Sequence, residues 1–289
     1  MTYKLYYAKG NSNLGDAVNP DIFQKVLGIK TRTSLWCNAD IYGIGSILHK
    51  AFIYKKNNNF LRNIWRNRFK SSCHFFNNKN TYIFGSGFIR EYNNQLFPYK
   101  NLNVLAVRGK NTLNILENFN YFNLKKTVLG DPGLFMSDLI IRPVRKKNYI
   151  GIIPHYIDST SPLLESLNKY NDNIIIIDIL GDPLLTLQKI ASCEFILSSA
   201  MHGLIAADSF GIPNKWIVLS NKISGDRFKF DDYYSSYGIK VEPWDITKEN
   251  NFKINTDKIN SSYMVTEDSV KKIKNNLKTT FNNFILEGD

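Results

Sequence analysis

Several runs of this chain are almost wholly apolar and stop abruptly at glycine or a small polar residue. Residues 41–44 end in Gly45-Ser46, and residues 82–84 in Gly85-Ser86-Gly87. Residues 104–107 end in Arg108-Gly109, and residues 127–129 in Gly130-Asp131-Pro132-Gly133. Strands covered on both faces read as continuous apolar runs, whereas half-exposed strands alternate. Longer amphipathic stretches lie between these runs, as the crossovers of parallel strands require. The pattern predicts an α/β fold with parallel sheets. At its head, a strand over 4–8 leads through Gly10-Asn11-Ser12-Asn13-Leu14-Gly15-Asp16 into a helix over 19–27, with Pro20 in its first turn.

A second series follows the polar segment Arg142-Pro143-Val144-Arg145-Lys146-Lys147-Asn148, which reads as a linker. A strand over 149–153 ends in Pro154-His155, and residues 174–179 form the plainest buried-strand pattern in the chain. A helix is expected over 183–192, then a strand over 195–197 ending in Ser198-Ser199-Ala200-Met201-His202-Gly203. A helix over 204–210 stops at Gly211-Ile212-Pro213, and a strand follows over 216–219. Thr266 caps a long last helix with Val270, Ile273, Leu277, Phe281, Phe284 and Ile285 at helical spacing. The expected architecture is two Rossmann-like domains facing across a cleft, over 1–142 and 149–265. The helix over 266–289 is placed to pack back on the first. Ligands of such sheets bind at the carboxyl ends of the strands.

Composition narrows the class. The 289 residues are 43% hydrophobic and 13% aromatic, enough for a sizeable core and unlike a disordered chain. No run is long and apolar enough to span a bilayer, and the N-terminus lacks a signal-peptide pattern, so a cytoplasmic location is expected. Cys37, Cys73 and Cys193 are odd in number and far apart, which suits a reducing compartment rather than a disulfide framework or a zinc site.

The net charge of +12 is concentrated. No acidic residue lies between Asp40 and Glu91, while nine lysines and arginines do. Within residues 50–76, Leu61, Ile64, Trp65 and Phe69 form a helical stripe, with Arg62, Arg66 and Lys70 one position round. A basic segment carrying Trp and Phe favours an anionic membrane surface. Its stripe could instead pack on the body. Nucleic acid is disfavoured because no recognisable binding module accompanies it.

The strongest local signal is Ser198–Gly203. A strand that passes through small residues into a helix gathers backbone N–H groups and the positive end of the helix dipole at one place, suited to a phosphate or carboxylate. Ser198 and Ser199 add hydroxyls, and His202 could donate to the anion or shuttle a proton. Alternatively, Ser199 caps the helix and His202 packs. His155 stands at the mouth of the second sheet, as a ligand group or a structural one. Arg108 could reach an anion from the first domain or pair at the surface. Asp16 is a turn residue or a carboxylate base, and Asp131 belongs to a turn that could touch ligand. No Walker loop, GxGxxG, GxSxG or HExxH is present, so nucleotide, elbow-serine and metal chemistry lack a motif. Asp231-Asp232 reads as part of an aromatic packing segment over 228–237.

Taken in order, the motifs resemble those of the bacterial polysaccharide pyruvyltransferases. They are NLGD (13–16), GIGSIL (43–48), GSGF (85–88), AVRGKNT (106–112), LGDPGL (129–134), IIPHY (152–156) and SSAMHGLIAADSFGIPN (198–214). The resemblance implies a GT-B-like fold and transfer of a pyruvyl group from phosphoenolpyruvate to a sugar of a lipid-linked glycan. The product would be a ketal used in capsule or exopolysaccharide synthesis. No cofactor or metal is implied. The family's functional histidine falls on His202, read as general acid or phosphate-side donor, with Asp16 as base. Ser198, Ser199, Gly203, His155 and Arg108 fall on the donor side, and Asn13, Gly15, Gly85, Ser86 and Asp131 on the acceptor side or cleft. Some members carry arginine where this chain has Ala200 and His155, so another cation has to neutralise the donor here. The implied partners are phosphoenolpyruvate, a lipid-linked acceptor and the inner face of the cytoplasmic membrane, touched through Arg62, Trp65, Arg66, Phe69 and Lys70. The alternatives are a glycosyltransferase of the GT-B type using a nucleotide sugar, or a non-catalytic membrane- or glycan-binding protein.

Overall fold

The computed structural model describes residues 1–10, 13–54, 80–92, 96–98, 101–119, 122–248 and 252–287. The basic aromatic segment, with Arg62, Trp65, Arg66, Phe69 and Lys70, lies outside them. The strands are β1 (Thr2–Tyr6), β2 (Lys30–Thr33), β3 (Ile41–Tyr42), β4 (Phe52–Tyr54), β5 (Thr81–Ser86), β6 (Leu96–Pro98), β7 (Leu102–Val107) and β8 (Val128–Leu129). They continue as β9 (Ile150–Ile153), β10 (Ile174–Ile176), β11 (Phe195–Ser198), β12 (Asn214–Val218) and β13 (Trp244–Asp245). Two parallel sheets result, in the orders β2-β1-β3-β5-β7-β8 and β10-β9-β11-β12-β13, while β4 and β6 form an antiparallel ribbon. The α/β class with parallel sheets is therefore as the apolar runs predict.

Three segments differ from expectation. β2, Lys-Thr-Arg-Thr, is a polar strand at the sheet edge, paired only with β1 among the described residues, and no apolar run announces it. Residues 174–179 were expected as a buried strand, but β10 stops at Ile176, which is 43% exposed at the sheet edge. Ile177 and Ile179 are buried beyond it, where the chain turns inward. The carbonyl of Ile179 accepts from Leu14 N–H at 2.9 Å, which joins the two halves. The third is Asp131-Pro132, expected as a turn. It opens a buried 3₁₀-helix, Pro132–Leu139, whose first turn is capped by Asp131 accepting from Gly133 N–H at 2.8 Å. This segment packs against the Met201–Ser209 helix.

One buried cluster runs through both halves. It takes Leu5, Ile41 and Phe84 from the first sheet, Leu134 and Phe135 from the 3₁₀-helix, and Ile196, Leu204 and Ile205 from the second half. The Glu267–Glu287 helix closes it. Thr266 Oγ1 accepts from Ser269 N–H at that helix's start. Its apolar stripe lies on the first sheet, with Phe281 4.8 Å from Phe84 and Phe284 4.3 Å from Tyr82 between ring centroids. A buried pair adds a polar tie. Arg108, just after β7, donates to Asp232 on the Phe228–Ser235 helix at 2.9 Å, and both side chains are inaccessible to water.

Candidate active site

The loop after β1 and the helix start after β11 meet and enclose a cleft of about 400 Å³. Asn13 and Asp16 line it from the first half, and His155, Ala200, Met201, His202 and Lys229 from the second. Ile47, Ile89 and Ile179 supply apolar wall. Met201 and His202 occupy the first turn of their helix, where backbone N–H groups have no helical partner, so the dipole's positive end faces this space.

Asn13 caps the short Leu14–Ala17 helix: its Oδ1 accepts from Gly15 N–H at 3.2 Å. That bond fixes the carboxamide, so its NH2 turns to Asp16 Oδ2. The same Oδ1 lies 2.9 Å from His202 Nδ1. An oxygen that accepts one N–H here must accept the other, so His202 carries its proton on Nδ1. Its Nε2 is then a bare acceptor, buried and without a hydrogen-bond partner. Gly15 packs flat on this imidazole, and a Cβ there would collide with the ring.

Burial sets the proton affinities. Desolvation, with help from the charges of Arg108 and Lys229, pushes the His202 pKa down to about 3. Desolvation pushes Asp16 up to about 7, opposed by the Asn13 hydrogen bond and helped by Asp131. His155 falls to about 4, mainly through desolvation and then Lys229. Near neutral pH the cleft therefore holds two neutral imidazoles and a carboxyl group that is half protonated. These affinities disfavour His202 as a charged general acid and Asp16 as a fully ionised base, and leave the other expectation, His202 as a phosphate-side donor, untouched. The reason is burial, which disfavours an imidazolium at His202 and a carboxylate at Asp16; the nearby cations and the Asp131 carboxylate add to it.

Lys229 is the residue that sequence reasoning missed. It is buried, and desolvation followed by repulsion from Arg108 lowers it to about 8. No carboxylate lies within ion-pair distance of it among the described residues. Its flanks, Phe228 and Phe230, made it look like packing; only a lysine inside an aromatic run hinted otherwise.

The remaining predicted residues stand around the cleft, not in it. Arg108 is not on the cleft wall. Its guanidinium is used by Asp232, by Ser46 Oγ at 2.7 Å and by the Phe88 carbonyl at 2.6 Å. Neither a ligand contact nor a surface pair remains open to it, because burial forced its donors to be satisfied internally. Ser198 Oγ lies 2.8 Å from the carbonyls of Ile153 and Ala200. Ser199 Oγ accepts from His155 N–H at 2.9 Å and donates to buried Asp158, so it places His155. Gly203 and Gly85 permit close approach, of Ser198 and Ile153 and of Pro132 respectively, and Gly85 has a φ of +79°. Ser86 donates to the Gly43 carbonyl. Asp131 keeps one oxygen without a partner, and burial pushes its pKa up to about 6.

Comparison with known proteins agrees with the motif order. A 181-residue stretch is 34% identical to the uncharacterized protein L143 of Acanthamoeba polyphaga mimivirus, covering 61% of this chain and 62% of that one. A stretch of 118 residues is 28% identical to the succinoglycan biosynthesis protein ExoV of Rhizobium meliloti, covering 39% and 35%. The chain thus matches less than two thirds of the length of either relative. A crystal structure of an uncharacterized protein from Klebsiella pneumoniae aligns over 88% of this chain and 93% of its own, at 14% identity and a TM-score of 0.47. The family model for polysaccharide pyruvyl transferase matches residues 2–222, which include every cleft group except Lys229, and the chain belongs to that family.

Proposed function

We propose that this protein transfers the pyruvyl group of phosphoenolpyruvate to two hydroxyls of a sugar in a lipid-linked glycan, forming a ketal. The carrying observation is the cleft itself, in which Lys229, His202 and the start of its helix line one side and Asp16 the other. Phosphoenolpyruvate is a compact polyanion. Lys229 and the N–H groups of Met201 and His202 complement it. Lys229 thus stands for the cation that Ala200 and His155 do not supply. Binding the anion raises the lysine's proton affinity and holds it charged.

The proton balance then follows. Asp16 gives its proton to the methylene carbon while one sugar hydroxyl attacks the adjacent carbon. His202 Nε2 takes that hydroxyl's proton. The bond from this carbon to the phosphate oxygen breaks, and His202 returns its proton to the departing phosphate. The second hydroxyl closes the ketal and its proton restores Asp16. Two groups whose environments drive their proton affinities apart are the arrangement that acid and base roles need.

The two-domain GT-B-like arrangement belongs to this reading, as does a place at an anionic membrane face. The latter rests on the basic aromatic segment in the sequence.

The test measures phosphate release from phosphoenolpyruvate with a panel of lipid-linked sugars. Lys229→Ala should raise the KM for phosphoenolpyruvate and abolish its thermal stabilisation of the protein, and Lys229→Arg should retain part of both. Turnover of nucleotide sugars, with no release from phosphoenolpyruvate, would overturn the proposal.

A further inference from the structure

A second groove, of about 460 Å³, lies between the Lys110–Glu117 helix and the start of the Phe228–Ser235 helix. We infer that it binds a neutral oligosaccharide, the part of the acceptor glycan that extends away from the reacting sugar. The inference rests on the transferase reading for the identity of that glycan, but its binding chemistry stands on this groove alone.

Asn111, Asn114 and Asn118 line the groove, at i, i+3 and i+7, and so share one helix face. Their carboxamides make no hydrogen bond among the described residues. Asparagine is a poor helix former, so three on one face do nothing for the helix itself. Each carboxamide offers an acceptor and two donors side by side, the complement of neighbouring sugar hydroxyls. Glu91 adds an acceptor. Tyr92 and Phe228 supply aromatic surface for the apolar C–H face of a sugar ring. Both rings are half-buried and rest on the core cluster of the first half, so they are held in place before any ligand arrives. No lysine or arginine is among the lining residues; Arg90 lies 5.5 Å over the Tyr92 ring at the groove's edge, and Glu91 on the wall disfavours an anion there. This separates its chemistry from that of the cleft.

The groove and the cleft draw on neighbouring residues of the chain. Ile89 lines the cleft two residues before Glu91, and Lys229 lines it directly after Phe228. The same two chain segments therefore border both spaces.

The experiment uses the full chain and a printed panel of neutral and acidic oligosaccharides of two to six units, with hits titrated by ligand-observed NMR. Wild type should bind neutral members, and Asn114→Ala with Asn118→Ala should weaken that binding tenfold or more. Phe228→Leu should weaken it similarly. Stabilisation by phosphoenolpyruvate should be unchanged in the asparagine variant, which separates this inference from the cleft reading. Binding to no panel member, preference for acidic members, or binding that survives both variants would each overturn it. Loss of phosphoenolpyruvate stabilisation in wild type would instead count against the cleft reading and leave the groove result standing.

Discussion

Asn13 Oδ1 lies 2.9 Å from His202 Nδ1, across 189 positions of sequence. Through its other end the same carboxamide donates to Asp16. One side chain therefore selects the histidine tautomer and holds the carboxyl group that opposes it. It touches neither reacting atom in the proposed chemistry and acts as a positioning residue.

Replacing Asn13 by Ala should lower kcat about tenfold to a hundredfold, the scale of a small misplacement of reacting groups. A distinct signature goes with it. The Asn13 hydrogen bond holds the Asp16 pKa down against burial. Its loss should move the alkaline limb of the pH–rate profile to higher pH. A fall in kcat with an unmoved limb would show Asn13 to be merely structural.

His202→Gln should lower kcat by about a hundredfold to ten-thousandfold, the usual contribution of a positioned proton acceptor. The glutamine keeps most of the volume against Gly15. The unfolding midpoint should therefore change little, and phosphoenolpyruvate should still stabilise the protein. Retention of full activity would remove His202 from the mechanism.

Asp16 gives a pH prediction with a definite sign. Its folded-state pKa, about 7, lies above the ordinary aspartate value of 3.8. The folded protein therefore holds the proton more tightly than the unfolded chain. The stabilisation is complete below about pH 4 and is lost as pH rises to about 7, by roughly 4 kcal/mol at about 1.36 kcal/mol per pH unit. Asp131 and Asp208, also raised, add slopes of the same sign. Asp16→Asn should remove only its own share. Chemical denaturation of both proteins between pH 4 and 8 reads the difference, and parallel curves would refute the assignment. Activity should fall over the same range in wild type, because the acid form is the working form.

The strands and the helix after β11 were legible because burial on both faces forces apolar runs, and because glycines and small residues mark where chains approach closely. Asn13, Asp16, His155 and His202 were legible because loops at the carboxyl ends of strands are where sites form. Their roles were not, since proton affinity depends on neighbours such as Arg108, Lys229 and Asp131 that are distant in sequence. Lys229 was hidden by its aromatic flanks. Arg108 was misread because a charge at a strand end looks the same whether it meets a ligand or a buried partner 124 residues away.

That buried partner makes the last prediction. Arg108 and Asp232 are both without solvent contact, and Asp232 also accepts from Thr112 N–H and Oγ1 at 2.7 Å. Asp232→Ala leaves a guanidinium in a dry interior with one of its bonds gone. Breaking such a pair from one side costs about 3–5 kcal/mol. Arg108→Met alone leaves a buried carboxylate that still has the Thr112 donors, so it should cost less. Arg108→Met with Asp232→Leu removes both charges and should be more stable than Asp232→Ala. Urea denaturation of the three variants measures the order. The pair binds a strand end of the first sheet to a helix of the second half, so Asp232→Ala should also loosen the cleft and raise the KM for phosphoenolpyruvate. If the double variant is the least stable of the three, the charges contribute more together than their burial removes, and the pair is a net source of stability.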